Sequence, residues 1–137
     1  MMLSEAPSLL ITDDDVAFRE TLRVVLEHQG FQTCLAGDGE EALGIVRSRE
    51  IHLVVLDMHM PKLTGLETLR RLKQFKALIP CILLSANLDE FLIEQARLAQ
   101  AFSVLAKPVT RNQITRTVRL ALQRTYNWPD WESPPLG

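Results

Sequence analysis

Cysteine is scarce: the chain of 137 residues has two, Cys34 and Cys81, far apart and outside any CxxC pattern. A disulfide framework or a thiolate zinc site is therefore not expected, and a reducing, cytoplasmic location is. Long apolar runs are lacking too. Every one falls far short of the ~20 residues that a membrane-spanning helix needs. The opening MMLSEAPSLL has no basic segment ahead of a long apolar run, so no secretion signal is read. Neither sign of charge dominates, with 15 basic against 17 acidic residues and a net charge of −2. Without a basic block, neither nucleic acid nor an anionic membrane is an expected direct partner.

What is present is the balance of a folded domain. Hydrophobic residues make up 47% and charged residues 23%, which excludes disorder for most of the length. The length fits one domain with a core that needs no staples.

Short apolar runs alternate with longer amphipathic stretches. Ser8 to Thr12, Ile51 to Leu56, Cys81 to Leu84 and Phe102 to Ala106 read as strands buried on both faces, and Phe31 to Ala36 as a more peripheral strand. Between them, Phe18, Leu22, Val25 and Leu26 recur at helical spacing, as do Ala42, Leu43 and Val46, then Leu66, Leu69 and Leu72, and finally Ile114, Val118, Ala121 and Leu122. Four helix starts have capping-box spacing: Asp38/Glu41, Thr64/Glu67, Asn87/Glu90 and Thr110/Gln113. Gly30 stands where the first helix would end in a left-handed residue. Five β-α units in succession predict an α/β fold, a parallel sheet with helices on both faces.

In such a sheet, ligands bind at the carboxyl ends of the strands, so the residues after each apolar run matter most. Those are Asp13, Asp14 and Asp15, then Asp57, then Ser85, then Lys107 and Pro108. Taken singly, each is equally a cap, a turn residue or a solvated charge. Taken together they predict one acidic pocket. Carboxylates within about 4 Å repel by ~4 kcal/mol per pair at an effective dielectric near 20, so the pocket holds protons or a cation. Oxygen ligands without thiolate favour a hard ion, Mg²⁺ first. Asp57, alone at the end of its strand, is the nucleophile candidate.

The segments ITDDDVAFRE, LVVLDMHMPKLTGLETL, ILLSAN and LAKPVT, in this order, resemble the receiver domain of bacterial two-component response regulators. The resemblance covers about Ser8 to Arg124, and it implies a doubly wound five-stranded sheet in the order 2-1-3-4-5. It also implies that Asp57 accepts a phosphoryl group from a sensor histidine kinase or phosphotransfer protein. Asp13 and Asp14, with Asp57 and the main-chain carbonyl of His59, would bind Mg²⁺. Ser85 would bond the phosphoryl oxygen, Lys107 would pair with Asp57 and then with the phosphoryl group, Pro108 would follow a cis bond, and Gly65 matches the turn glycine. Asp15 is expected to be a helix cap. The implied output is a conformational change passed to an effector domain, C-terminal or in trans, or to a homodimer partner, and not turnover of a substrate.

The sequence departs from that pattern in places. Val104 occupies the position of the usual switch aromatic; Phe102, two residues earlier, is expected to share its strand face by alternation and is the one candidate substitute, although such a residue is more often simply core. Gln100-Ala101 stands for the usual Gly-Ala. His59 and Asn87 flank the path of an attacking water. His28 and His52 lack metal-ligand spacing, and the arginines of two helices read as solvated faces. Residues 1-125 are expected to form the receiver. Residues 126-137 read as a tail or linker start, unless Trp128 and Trp131 dock on the protein. The competing enzyme reading is a Mg-dependent aspartate-nucleophile phosphatase using Asp13, against which Ala17 and the lack of a cap insertion count. A flavodoxin-type cofactor binder lacks its phosphate cradle in the first β-α loop.

Overall fold

The computed structural model describes residues 6–128. Ten elements alternate: β1 (Ser8–Thr12), α1 (Val16–His28), β2 (Gln32–Ala36), α2 (Gly39–Ser48), β3 (Leu53–Asp57), α3 (Gly65–Phe75), β4 (Cys81–Ser85), α4 (Glu90–Leu98), β5 (Ser103–Ala106) and α5 (Arg111–Tyr126). All strand pairs are parallel, in the order β2-β1-β3-β4-β5. The order reverses at β1, and β1 and β3 lie side by side, so Asp13 and Asp57 leave neighbouring strand ends.

Strand alternation divides the core into two layers. Leu10, Val54, Leu56, Cys81 and Leu83 pack under the stripes of α2, α3 and α4. Leu9, Ile11, Leu53, Val55, Ile82 and Leu84 pack under α1 and α5. The central strands β3 and β4 are buried throughout, as expected of strands covered on both sides. The fifth strand departs from expectation. It is an edge strand, and only Leu105 in it is buried.

Caps set the helix starts. Asp15 accepts the Phe18 N–H, Asp38 the Glu41 N–H and Thr110 the Gln113 N–H, while Thr64 and Glu67 form the complete reciprocal box. Glu41 bonds the Gly37 N–H instead of its own cap. The fourth start corrects the expected one: Asp89 caps α4, and the Asn87 N–H is held by the Ser85 hydroxyl, which carries the turn two residues further. Gly30 adopts φ 95 after α1, the left-handed stop.

The chain after α5 docks as far as it is described. Trp128 is half-buried against the α1/α5 layer and stands edge-on to the His52 ring, centroids 5.0 Å apart. His52 is a packing residue whose Nδ1 accepts the Ser8 N–H, while its own carbonyl takes the Tyr126 hydroxyl. Trp131 lies outside the described residues.

Candidate functional site

Asp13 is fixed from all sides and 1% exposed. Its main-chain N–H donates to Ala36 of β2, and its carbonyl accepts from Arg19 Nη1 at 2.9 Å. Its carboxylate takes the Asp15 N–H on Oδ1 and Lys107 Nζ on Oδ2. Asp57, the last residue of β3, is 5% exposed and takes the same ammonium on Oδ1 at 3.0 Å. Asp14 is exposed beside them, and the three carboxylates offer oxygens that all lie within 4.8 Å of one another. Asp15, by contrast, is used up as the cap of α1.

Lys107 follows β5, and its main-chain N–H is tied to the Ser85 carbonyl at 2.9 Å. The Lys107–Pro108 bond is cis, as the resemblance implies. Ser85 is fully buried at the end of β4. Its hydroxyl accepts the Asn87 N–H at 3.1 Å, and the exposed His59 places Nε2 3.5 Å from it. Gly65 is required by close approach, since a Cβ there would collide with the Asp57 carbonyl; its N–H bonds the Met58 carbonyl instead.

Three carboxylates gather around one ammonium, which pairs directly with Asp13 and Asp57, so acidic side chains outnumber basic ones in the group. Burial pushes the Asp57 carboxyl above its usual range, the Lys107 hydrogen bond pulls it down, and the charges of Asp13 and Asp14 push it up again. Burial alone would lower the Lys107 ammonium, but its hydrogen bonds to Asp13 and Asp57 outweigh that and hold it above the ordinary lysine value. An acidic, oxygen-only site with a fixed cation at its edge suits a hard divalent ion carrying a phosphoryl oxygen.

The substitute aromatic does not hold. Val104 packs toward the α2/α3/α4 layer, whereas Phe102 packs into the α1/α5 layer, on the opposite side of the sheet. Phe102 precedes β5, so strand alternation does not extend to it. Two contributors were not picked out from the sequence. Arg19 holds the Asp13 carbonyl, and Phe18, read there only as part of a core stripe, lies under Lys107 with its ring centroid 4.2 Å from Nζ. The available signal was position: side chains in the first turn of a helix lean toward its N-terminus, here toward the strand ends.

The sequence matches the response regulator receiver domain family across residues 9–119, and the chain belongs to that family. It is 37% identical to the response regulator MprA of Mycobacterium sp. (strain KMS) over 129 residues, covering 93% of this chain and 56% of that protein. It is 32% identical to the alkaline phosphatase synthesis transcriptional regulatory protein PhoP of Bacillus subtilis, covering 85% of this chain and 49% of that one. The chain thus spans about half the length of these curated relatives. Among solved structures, the receiver domain of the Francisella response regulator 1452 superposes with TM-score 0.81 at 29% identity, covering 87% of this chain and 98% of that one. A CheY-like receiver domain protein from Methanospirillum hungatei shares the fold with TM-score 0.86 at 20% identity, covering 90% and 98%.

Proposed function

We propose that this chain receives a phosphoryl group on Asp57 from the phosphohistidine of a sensor histidine kinase or phosphotransfer protein and passes the change to an output partner. The observation that carries this reading is the convergence on one ammonium: Lys107 Nζ stands 3.0 Å from both the Asp13 and the Asp57 carboxylates, with Asp14 in the same group.

Asp13, Asp14 and Asp57, with the His59 main-chain carbonyl, would hold Mg²⁺. When bound, the ion neutralises charge on the phosphoryl oxygens. An Asp57 carboxylate oxygen forms the new O–P bond as the donor's N–P bond breaks, and the electron pair leaves with the imidazole nitrogen. Lys107 then moves its contact from Asp57 to a phosphoryl oxygen, and the Ser85 hydroxyl turns from the Asn87 N–H to donate to another. Phosphorylation adds about −1.5 to −2 charges and three acceptor oxygens, so these two side chains are drawn inward and shift the β4-α4 and β5-α5 loops. One carboxylate is modified and restored per cycle, so the protein is a switch and not a turnover enzyme. The output passes to an effector domain on the same polypeptide or in trans, or to a second copy. The receiver extends past the expected boundary at residue 125, since α5 runs to Tyr126 and Trp128 packs on its core. The setting is cytoplasmic; among the described residues no helix is long and apolar enough to cross a membrane.

The phosphatase reading with Asp13 as nucleophile is disfavoured because both Asp13 oxygens are already engaged, by Lys107 and by the Asp15 N–H. Beryllofluoride separates the two readings. The receiver reading predicts that Asp57→Asn abolishes binding while Asp13→Asn keeps it at a raised Mg²⁺ requirement; the reverse pattern would refute it.

A further inference from the structure

Lys107 has a third neighbour that no part of the acidic cluster supplies. The ring face of Phe18 meets Nζ at 4.2 Å from its centroid, inside the range of cation–π attraction. The lysine side chain is 21% exposed, so water competes weakly for the ammonium. The ring is itself tightly placed. Asp13 Oδ1 accepts the Asp15 N–H at 2.9 Å, Asp15 Oδ1 accepts the Phe18 N–H at 3.2 Å, and Asp13 Oδ2 accepts from Lys107 at 3.0 Å. The path from Asp13 through the cap to the ring and back through the ammonium therefore closes on itself. Phe18 also packs against the α1/α5 core layer, which keeps the ring from swinging away.

We propose that Phe18 is a positioning residue for phosphoryl transfer, its ring face holding the Lys107 ammonium over Asp57; this rests on the receiver reading above. A hydrogen bond to a carboxylate is directional and must break when the ammonium turns to a phosphoryl oxygen. The attraction to a ring face is spread over the ring. It keeps the cation at the site while its oxygen partner changes. A leucine would fill the same space in the core and supply none of this.

The test places phenylalanines of increasing fluorination at position 18, which withdraws charge from the ring face while nearly preserving shape. The rate of Asp57 phosphorylation by acetyl phosphate is followed at saturating Mg²⁺, with the O–P bond to Asp57 forming as acetate leaves. The log rate is expected to fall in step with fluorine number, to about 2- to 10-fold below the unmodified protein. Phe18→Leu should fall equally and Phe18→Tyr should keep the rate. Mg²⁺ affinity, read by calorimetry, should stay nearly constant across the series. An unmodified protein that takes up phosphate together with fluorinated forms of equal rate would overturn the role of Phe18 alone. An unmodified protein that takes up none would overturn the receiver reading, and this proposal with it.

Discussion

Lys107 Nζ lies 3.0 Å from Asp57 Oδ1 although the two residues end strands that are not neighbours, β4 lying between β3 and β5. The lysine therefore arches over the end of β4, where its own main-chain N–H is anchored on the Ser85 carbonyl. One side chain thus links the ends of β1, β3 and β5.

Removing that cation leaves three carboxylates facing one another. Lys107→Ala is expected to bind Mg²⁺ about tenfold more tightly by titration calorimetry, because the ion no longer competes with a resident positive charge. The same variant should lose most of its phosphorylation by acetyl phosphate. Weaker Mg²⁺ binding would contradict the charge arrangement described here.

Asp57 holds its proton more firmly in the folded chain than in the unfolded one, chiefly through burial. Its contribution to stability is complete below the ordinary carboxylate range and is lost as pH rises through the folded value. Asp57→Asn removes this loss. In metal-free buffer the variant should be more stable than the parent by about 1 kcal/mol at neutral pH, with the gap closing in acid. Denaturant melts at pH 4 and pH 7 measure it; a gap that widens in acid would be the wrong sign.

Gln100 sits at φ 66, in the left-handed region that favours glycine. The strain of a side chain there outweighs the entropy glycine loses on folding. Gln100→Gly should stabilise the protein by about 0.5–1 kcal/mol in urea unfolding, with phosphorylation unchanged.

His59 is exposed, and its Nε2 lies 3.5 Å from the Ser85 hydroxyl. If that imidazole shields a phosphoryl group on Asp57 from water, His59→Ala exposes it. The phosphate is expected to decay about threefold faster, a barrier change of under 1 kcal/mol. Unchanged decay in a radiolabel assay would leave His59 without a kinetic role.

The strand ends were legible because each chemical residue follows an apolar run, and a parallel α/β order puts all those ends on one edge. Less legible was anything decided by an edge or a local competition. β5 is less buried than its apolar run suggests because it is an edge strand with a neighbour on one side only. Phe102 and Val104 lie on opposite sides of the sheet because β5 begins at Ser103, one residue too late for its alternation to include Phe102. The α4 cap was displaced from Asn87 to Asp89 because the Ser85 hydroxyl captures the Asn87 N–H, a contact that exists only once the site is formed. Phe18 was hidden inside a helical stripe that explains it equally well as core.

The most direct measurement is mass spectrometry of the intact protein and of its peptides after acetyl phosphate treatment, with and without Mg²⁺. The account predicts the gain of one phosphoryl group, located on Asp57, dependent on Mg²⁺ and absent from Asp57→Asn. A phosphoryl group found on Asp13, or one gained equally well without a divalent ion, would contradict it.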